Sequence, residues 1–220
     1  MTVGAIFDCD GVLIDSAHVW RDAEAELSHR AGAKLSREDQ RALTTMTIGE
    51  VAEFFHSRYG LGENDADVVR MIDEIMLDFY ANRSVAMPGI AEFLDGLAVL
   101  GVRMTVVSSS PQLHLQMGLG HVGLLDRFCS VLSVEDLHTS KREPLIYIKA
   151  MEAMGTTPAI TWGFDDSYYA IDTMSSLGIA TVGVYDAHEP FELERLRSSA
   201  DLITCDYAAL DPMQFARCRA

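Results

Sequence analysis

Phe7-Asp8-Cys9-Asp10-Gly11-Val12-Leu13-Ile14-Asp15-Ser16 sets two carboxylates, one residue apart, directly after an apolar run. Val3 to Phe7, interrupted only by Gly4, suits a short buried strand. Ionised carboxylates at the end of such a strand are costly unless paired, hydrogen-bonded or bound to a cation. A polar turn that merely caps the strand would use the same residue types, since Asp and Gly favour turns. That leaves unexplained why the acidic turn runs straight into a second apolar run, Val12-Leu13-Ile14, and then Asp15-Ser16. A cation site holding a nucleophile accounts for more of the pattern.

The outer bounds come from composition. The chain has 220 residues, half of them apolar, enough for one larger domain or a core with a smaller insert. No apolar run approaches the length of a membrane span. The first residues carry no basic region and enter the acidic motif at once, so no signal peptide is expected. Cys9, Cys129, Cys205 and Cys218 are scattered without a Cys-x-x-Cys pair, which suits reduced thiols in the cytoplasm. A net charge of −16 argues against nucleic acid or an anionic membrane as partner. Only three lysines occur, Lys34, Lys141 and Lys149, against fourteen arginines.

After Ser16 the chain changes character. Residues 17 to 83 show helical periodicity and almost no strand signal. Val19, Ala23 and Leu27 share one face of a helix ending near Gly32. Ser36 with Asp39 has the form of a capping box opening a second helix. Val51, Phe54 and Phe55 lie in a third, closed by Gly60. Asn64 can cap a fourth, with Val68, Ile72, Ile75, Met76 and Phe79 as its apolar stripe. Such an insert between a first strand and its successor is expected to be an all-helical cap domain, 17–83, on a core of 1–16 and 84–220. Met87-Pro88-Gly89 punctuates the return.

From there helix and strand alternate. Ile90 to Leu100 is predicted as a helix with Ile90, Phe93, Leu94 and Leu97 inward. Arg103 to Val107, Cys129 to Val134, Ile160 to Phe164 and Ala180 to Tyr185 read as strands, with Pro144 to Met154 among the helices. This alternation predicts an α/β fold, a Rossmann-like parallel sheet with helices on both faces. Ligands in such sheets bind at the carboxyl ends of the strands. Two of those ends are polar: Ser108-Ser109-Ser110-Pro111, which can cap a helix or cradle an anion, and Asp165-Asp166-Ser167, which can be an N-cap or, with Asp8, an oxygen set for magnesium.

The opening decapeptide, Asp-x-Asp-Gly-Val-Leu-x-Asp-Ser, resembles the first motif of the haloacid-dehalogenase-like hydrolases, in the branch of β-phosphoglucomutase and many small phosphatases. The resemblance implies a Mg2+-dependent phosphatase acting on a small phosphorylated metabolite through an aspartyl-phosphate. Asp8 would be the nucleophile and Asp10 the general acid and base. Ser108 matches the second motif, which holds the transferring phosphoryl group, with Ser109 beside it. Asp8, Asp10, Asp165 and Asp166 would form the metal site, Asp166 directly and Asp165 directly or through water. Ser140-Lys141-Arg142-Glu143-Pro144-Leu145 matches the third motif in part. Lys141 and Pro144 agree, while the family's glycine, first proline and aspartate are Ser140, Arg142 and Leu145. Lys141 is the expected cation facing Asp8, with Arg142 as second choice. After the fourth motif the family's glycine and paired alanines appear as Ala170 and Asp172-Thr173.

The branch contains several reactions. Dehalogenases lack the second aspartate, so Asp10 speaks against them. Phosphonatases need a lid lysine, and Lys34 stands away from the expected substrate loop. The mutases carry a histidine where this chain has Trp20, and a lid arginine where Thr44 to Gly49 offers none. Hydrolysis is therefore expected, with a β-phosphoglucomutase-like mutase or a catalytically impaired binding protein as the other readings. Trp20, Met46, Thr47 and Ile48 are candidate lid-side substrate contacts, although Trp20 and Ile48 would equally serve as lid core. A monomer or weak homodimer is expected.

Overall fold

The computed structural model describes residues 2–16, 18–43, 46, 48–186 and 193–217, with the backbone alone at positions 20 and 41. The chain divides into two compact units, Met1–Ser16 with Ser84–Ala220, and Ala17–Arg83.

The first unit is built on six strands: β1 (Gly4–Phe7), β2 (Arg103–Ser108), β3 (Ser130–Ser133), β4 (Thr161–Asp165), β5 (Ala180–Val184) and β6 (Leu202–Thr204). They form one parallel sheet in the order β3-β2-β1-β4-β5-β6. The central strands β1 and β4 are buried along their whole length, as a sheet covered on both faces requires.

The second unit is helical. It contains α1 (Val19–Arg30), α2 (Arg37–Leu43), α3 (Ile48–Tyr59) and α4 (Asp65–Asn82), with α1 and α3 packed on α4. The start of α2 is the capping box foreseen in the sequence. The Asp39 N–H donates to Ser36 Oγ at 3.1 Å and the Ser36 N–H donates back to Asp39 Oδ2 at 2.9 Å. Asn64 caps α4 by accepting the Asp67 N–H at 3.1 Å. Val19, Ala23 and Leu27 are buried on α1, Val51 and Phe55 on α3, and the α4 stripe from Val68 to Phe79 is buried as its period predicts.

Among the described residues the first unit also contains the α-helices α5 (Ile90–Val99), α6 (Gln112–His121), α7 (Pro144–Met154), α8 (Tyr168–Ser176), α9 (Leu193–Ser199) and α10 (Pro212–Phe215). Successive residues of β1 point to opposite faces of the sheet, and the two faces differ in chemistry. Ile6 joins an aliphatic layer with Val107, Ile146, Met154, Ile171, Met174 and Leu196. Phe7 stacks on Phe164 with ring centroids 4.5 Å apart, and Phe164 meets Phe93 and Phe215 edge-on or tilted. Aromatic pairs of this kind add about 0.5–1.5 kcal/mol each beyond their buried area.

Where the chain leaves the first unit and returns, it pairs with itself. Ile14 bridges Ala86 in antiparallel fashion. The Asp15 N–H donates to Val85 O and the Met87 N–H to Leu13 O, each at 2.9 Å.

Candidate active site

Phe7 is level with Phe164 in the register of β1 and β4, so Asp8 and Asp165 leave neighbouring strands side by side. The Asp8 N–H donates to Phe164 O at 2.9 Å. Beyond Asp8 the backbone doubles back. The Leu13 and Ile14 N–H groups both donate to Cys9 O, at 2.8 and 2.9 Å, and Gly11 turns the chain at φ +73°. The buried Tyr207 hydroxyl donates to Val12 O at 3.0 Å and ties this turn to the C-terminal part of the chain.

Lys141 Nζ lies 2.7 Å from Asp8 Oδ1 and 2.8 Å from Asp165 Oδ2. The three residues are 4%, 5% and 2% exposed, so this triad is shielded from solvent. The contact with Asp165 is an aligned hydrogen bond. The contact with Asp8 is an ion pair without hydrogen-bond alignment, and among the described residues no aligned donor reaches buried Asp8 Oδ1. Burial disfavours the Lys141 charge, yet the Asp165 and Asp8 carboxylates outweigh it and hold the ammonium well above its usual pKa. Burial pushes Asp8 well up; Lys141 opposes this, and Asp165, Asp166 and Asp10 add to it.

The other Asp165 oxygen, Oδ1, accepts the Ser167 N–H at 2.9 Å, so both of its oxygens are engaged by the protein. Asp166 differs. Its Oδ1 accepts the Ser167 hydroxyl at 3.0 Å, and the residue keeps an exposed face. Desolvation of its carboxyl and the Asp165 charge beside it nevertheless push its pKa to about 7.

Two side chains fix the backbone that presents Lys141. The Tyr147 hydroxyl, from α7, donates to Lys141 O at 3.1 Å. The Arg142 guanidinium stacks 4.1 Å over the ring of Tyr169, on α8. The alternative use of Arg142 as a cation facing Asp8 is thus corrected, for its charge rests on an aromatic face. At the end of β2, buried Ser108 accepts the Ser110 N–H at 3.2 Å, and the Ser110 hydroxyl donates to Asp10 Oδ2 at 2.7 Å.

Asp8, Asp165 and Asp166 each present one carboxylate oxygen within 4.8 Å of the others. With all three carboxylates ionised, the single Lys141 ammonium would leave two negative charges uncompensated, and this repulsion is part of what raises Asp8 and Asp166. The ligand atoms are all oxygen, and among the described residues buried Asp8 Oδ1 meets only the Lys141 ammonium, as an ion pair. This set fits a hard divalent cation. The Asp10 carboxylate is not in the set and is held by Ser110 instead.

The expected residues Asp8, Asp10, Ser108, Lys141, Asp165 and Asp166 all lie at the carboxyl ends of β1, β2 and β4 or on the loop before α7. Ser109 follows Ser108 and is exposed. Met46 is half-buried; Ile48 is 37% exposed at the start of α3 and so is not helical core. Thr47 and the Trp20 side chain lie outside the described residues. Ser110 and Tyr147 are the site residues that sequence reasoning missed. The Ser-Ser-Ser run was the only available signal for the first, and nothing local marks the second.

Comparison with known proteins follows the same lines. A family model described as haloacid dehalogenase-like hydrolase matches residues 5–184. Hexitol phosphatase B of Escherichia coli (strain K12) is 28% identical over 167 residues, 75% of each chain. Validoxylamine A 7'-phosphate phosphatase of Streptomyces hygroscopicus subsp. limoneus is 27% identical over 193 residues, covering 84% of this chain and 86% of its own. The crystal structure of CbbY from Rhodobacter sphaeroides in complex with phosphate has the same fold. It superposes with a TM-score of 0.73 over 96% of both chains at 21% identity.

Proposed function

Because the chain belongs to the haloacid dehalogenase-like hydrolase family, we propose that it is a magnesium-dependent phosphatase of small phosphorylated metabolites. The observation that carries this reading is the buried Lys141 ammonium between Asp8 and Asp165, with Asp166 converging on the same point. The two phosphatases named above support the substrate class, since both act on phosphorylated small molecules by name.

Asp8, Asp165 and Asp166 would hold the cation, with the Asp10 backbone carbonyl as a further ligand. When bound, it supplies positive charge that offsets the phosphoryl group and the clustered carboxylates. Lys141 adds a fixed ammonium beside the nucleophile, in a setting where burial strengthens its pull. An Asp8 oxygen forms a bond to phosphorus as the ester bond breaks, and the bonding pair leaves on the ester oxygen. Asp10 gives that oxygen a proton. It then takes one from the water that attacks the aspartyl-phosphate, releasing phosphate and restoring Asp8. The Ser108 hydroxyl holds a phosphoryl oxygen through both halves.

The helical unit 17–83 would serve as a cap that selects substrate, with Trp20, Met46, Thr47 and Ile48 as its contacts. Water is favoured over a second sugar as final acceptor, because residues 44 to 49 carry no arginine to hold a second phosphate. The test is phosphate release from a panel of sugar and polyol phosphates, with magnesium and with a chelator. Release that needs magnesium and disappears in Asp8→Asn is expected. Release indifferent to both would overturn the reading.

A further inference from the structure

We infer that Arg142 and Tyr169 are positioning residues for Lys141, their stack holding the backbone from which the ammonium reaches Asp8 and Asp165. This rests on the reading of Lys141 as a fixed ammonium beside the nucleophile. The peptide bond between Lys141 and Arg142 carries the inference. Its carbonyl, on Lys141, accepts the Tyr147 hydroxyl at 3.1 Å. Its N–H, on Arg142, donates to Ser140 Oγ at 2.9 Å. The two side chains leave it for one neighbouring segment. Buried Lys141 donates to Asp165 Oδ2 at 2.8 Å. Exposed Arg142 lays its guanidinium 4.1 Å from the centroid of the Tyr169 ring, which Tyr168 meets edge-on at 5.8 Å.

Segments 140–142 and 165–169 are thus joined twice, inside through Lys141 and outside through Arg142. One joint lets two segments pivot about it, whereas two joints on consecutive residues do not. Lysine needs that constraint, since its four-carbon stem is flexible and its ammonium has no rigid fork. A charge that stabilises a transition state must stand in place beforehand, because moving it during the reaction forfeits part of the gain. Arg142 suits the outer joint, for a guanidinium is planar, always charged and stacks on aromatic faces. Such a contact at an exposed site amounts to about two- to five-fold in an equilibrium. It uses the face of the ring and not the hydroxyl. Tyr169→Phe therefore keeps it, and Tyr169→Leu removes it while leaving the Arg142 charge in place.

The experiment is a double-mutant cycle on the full chain, read with p-nitrophenyl phosphate and magnesium, with Lys141→Met as reference. Arg142→Ala and Tyr169→Leu are each expected to lower kcat about two- to five-fold, and the double variant to fall no further than either. Tyr169→Phe should retain the wild-type kcat. Urea melts of chelator-treated protein check the contact apart from turnover, and there the midpoint shifts of the two variants should likewise fail to add. Additive shifts would overturn the stack itself. Losses of kcat that multiply in the double variant would overturn the positioning role. So would full activity in both single variants while Lys141→Met is strongly slowed, and that outcome leaves the role of Lys141 standing. Tyr169→Phe as slow as Tyr169→Leu would overturn it too, since the hydroxyl would then be what matters. Undiminished turnover in Lys141→Met would overturn the reading of Lys141 on which the inference rests.

Discussion

Gly11 and Asp166 approach so closely that a Cβ on the glycine would stand 2.7 Å from Asp166 Oδ2. Gly11 also sits at φ +73°, a conformation that costs other residues about 1–3 kcal/mol. Gly11→Ala should therefore lower the melting temperature and push the Asp166 carboxylate aside. The magnesium concentration for half-maximal activity should rise. An unchanged magnesium requirement would show that Asp166 is not a ligand.

Asp165 and Asp166 are adjacent in sequence but engaged differently. Asp165 gives both oxygens to Lys141 and Ser167, whereas Asp166 receives only the Ser167 hydroxyl among the bonds described above. Asp165→Asn removes one partner of a buried ion pair and should destabilise the metal-free protein by up to about 3–5 kcal/mol. Asp166→Asn should leave that stability nearly intact and weaken magnesium binding more. Denaturant melts with chelator, alongside magnesium titrations, separate the two effects. Identical behaviour of the two variants would contradict this division.

The raised carboxyls also fix a pH dependence. An aspartate in the unfolded chain titrates near about 3.9, while metal-free Asp166 holds its proton up to about 7 and Asp8 is raised as well. Across that window the fold binds more protons than the unfolded chain, so metal-free stability falls as pH rises and levels off above it. Asp39, held down by its bonds from Ser36, and Asp95, held down by Arg127, act in the opposite sense at lower pH. Magnesium competes with the same protons. It should raise the melting temperature more at about pH 8 than at about pH 5.5. Equal increments would count against carboxylate ligation.

Ser133 ends β3 level with Ser108, and its buried hydroxyl has no hydrogen-bond partner among the described residues. A buried polar group left unmatched costs about 1–3 kcal/mol. Ser133→Ala should therefore stabilise the protein by roughly 1 kcal/mol in a urea melt. A clear loss of stability would mean that the hydroxyl has a partner in solution, such as an ordered water.

The strand ends that form the candidate site were legible because each broke an apolar run with residues that a buried strand does not tolerate. Asp8, Ser108 and Asp165 all stand where hydrophobicity stops. Lys141 stood out because the chain has so few lysines. The capping box at Ser36 and the stripe on α4 were readable because their signals are local. The rest was hidden for equally physical reasons. β6 has only three residues, Leu202–Thr204, too short for a period to show. On α6, Leu115 and Leu119 are buried while Leu113 and Met117 are exposed, so no single apolar stripe marks its inward face. The bonds of Ser110 to Asp10 and of Tyr207 to Val12 join residues 100 and 195 positions apart, which no local pattern reports.

The self-pairing of Leu13–Asp15 with Val85–Met87 has a consequence for the chain between them. Because the outgoing and incoming chains are hydrogen-bonded to each other, the ends of whatever lies between them are held together in the folded chain. The entropy of closing so long a loop is borne by the parent sheet, and it grows only slowly with the length of the insertion. The length of an insertion between Ser16 and Ser84 is therefore weakly constrained, whereas the seam itself is not, since Ile14 pairs with both Ala86 and Asp10. Such a seam separates the length of the inserted segment from the geometry of the sheet that carries Asp8.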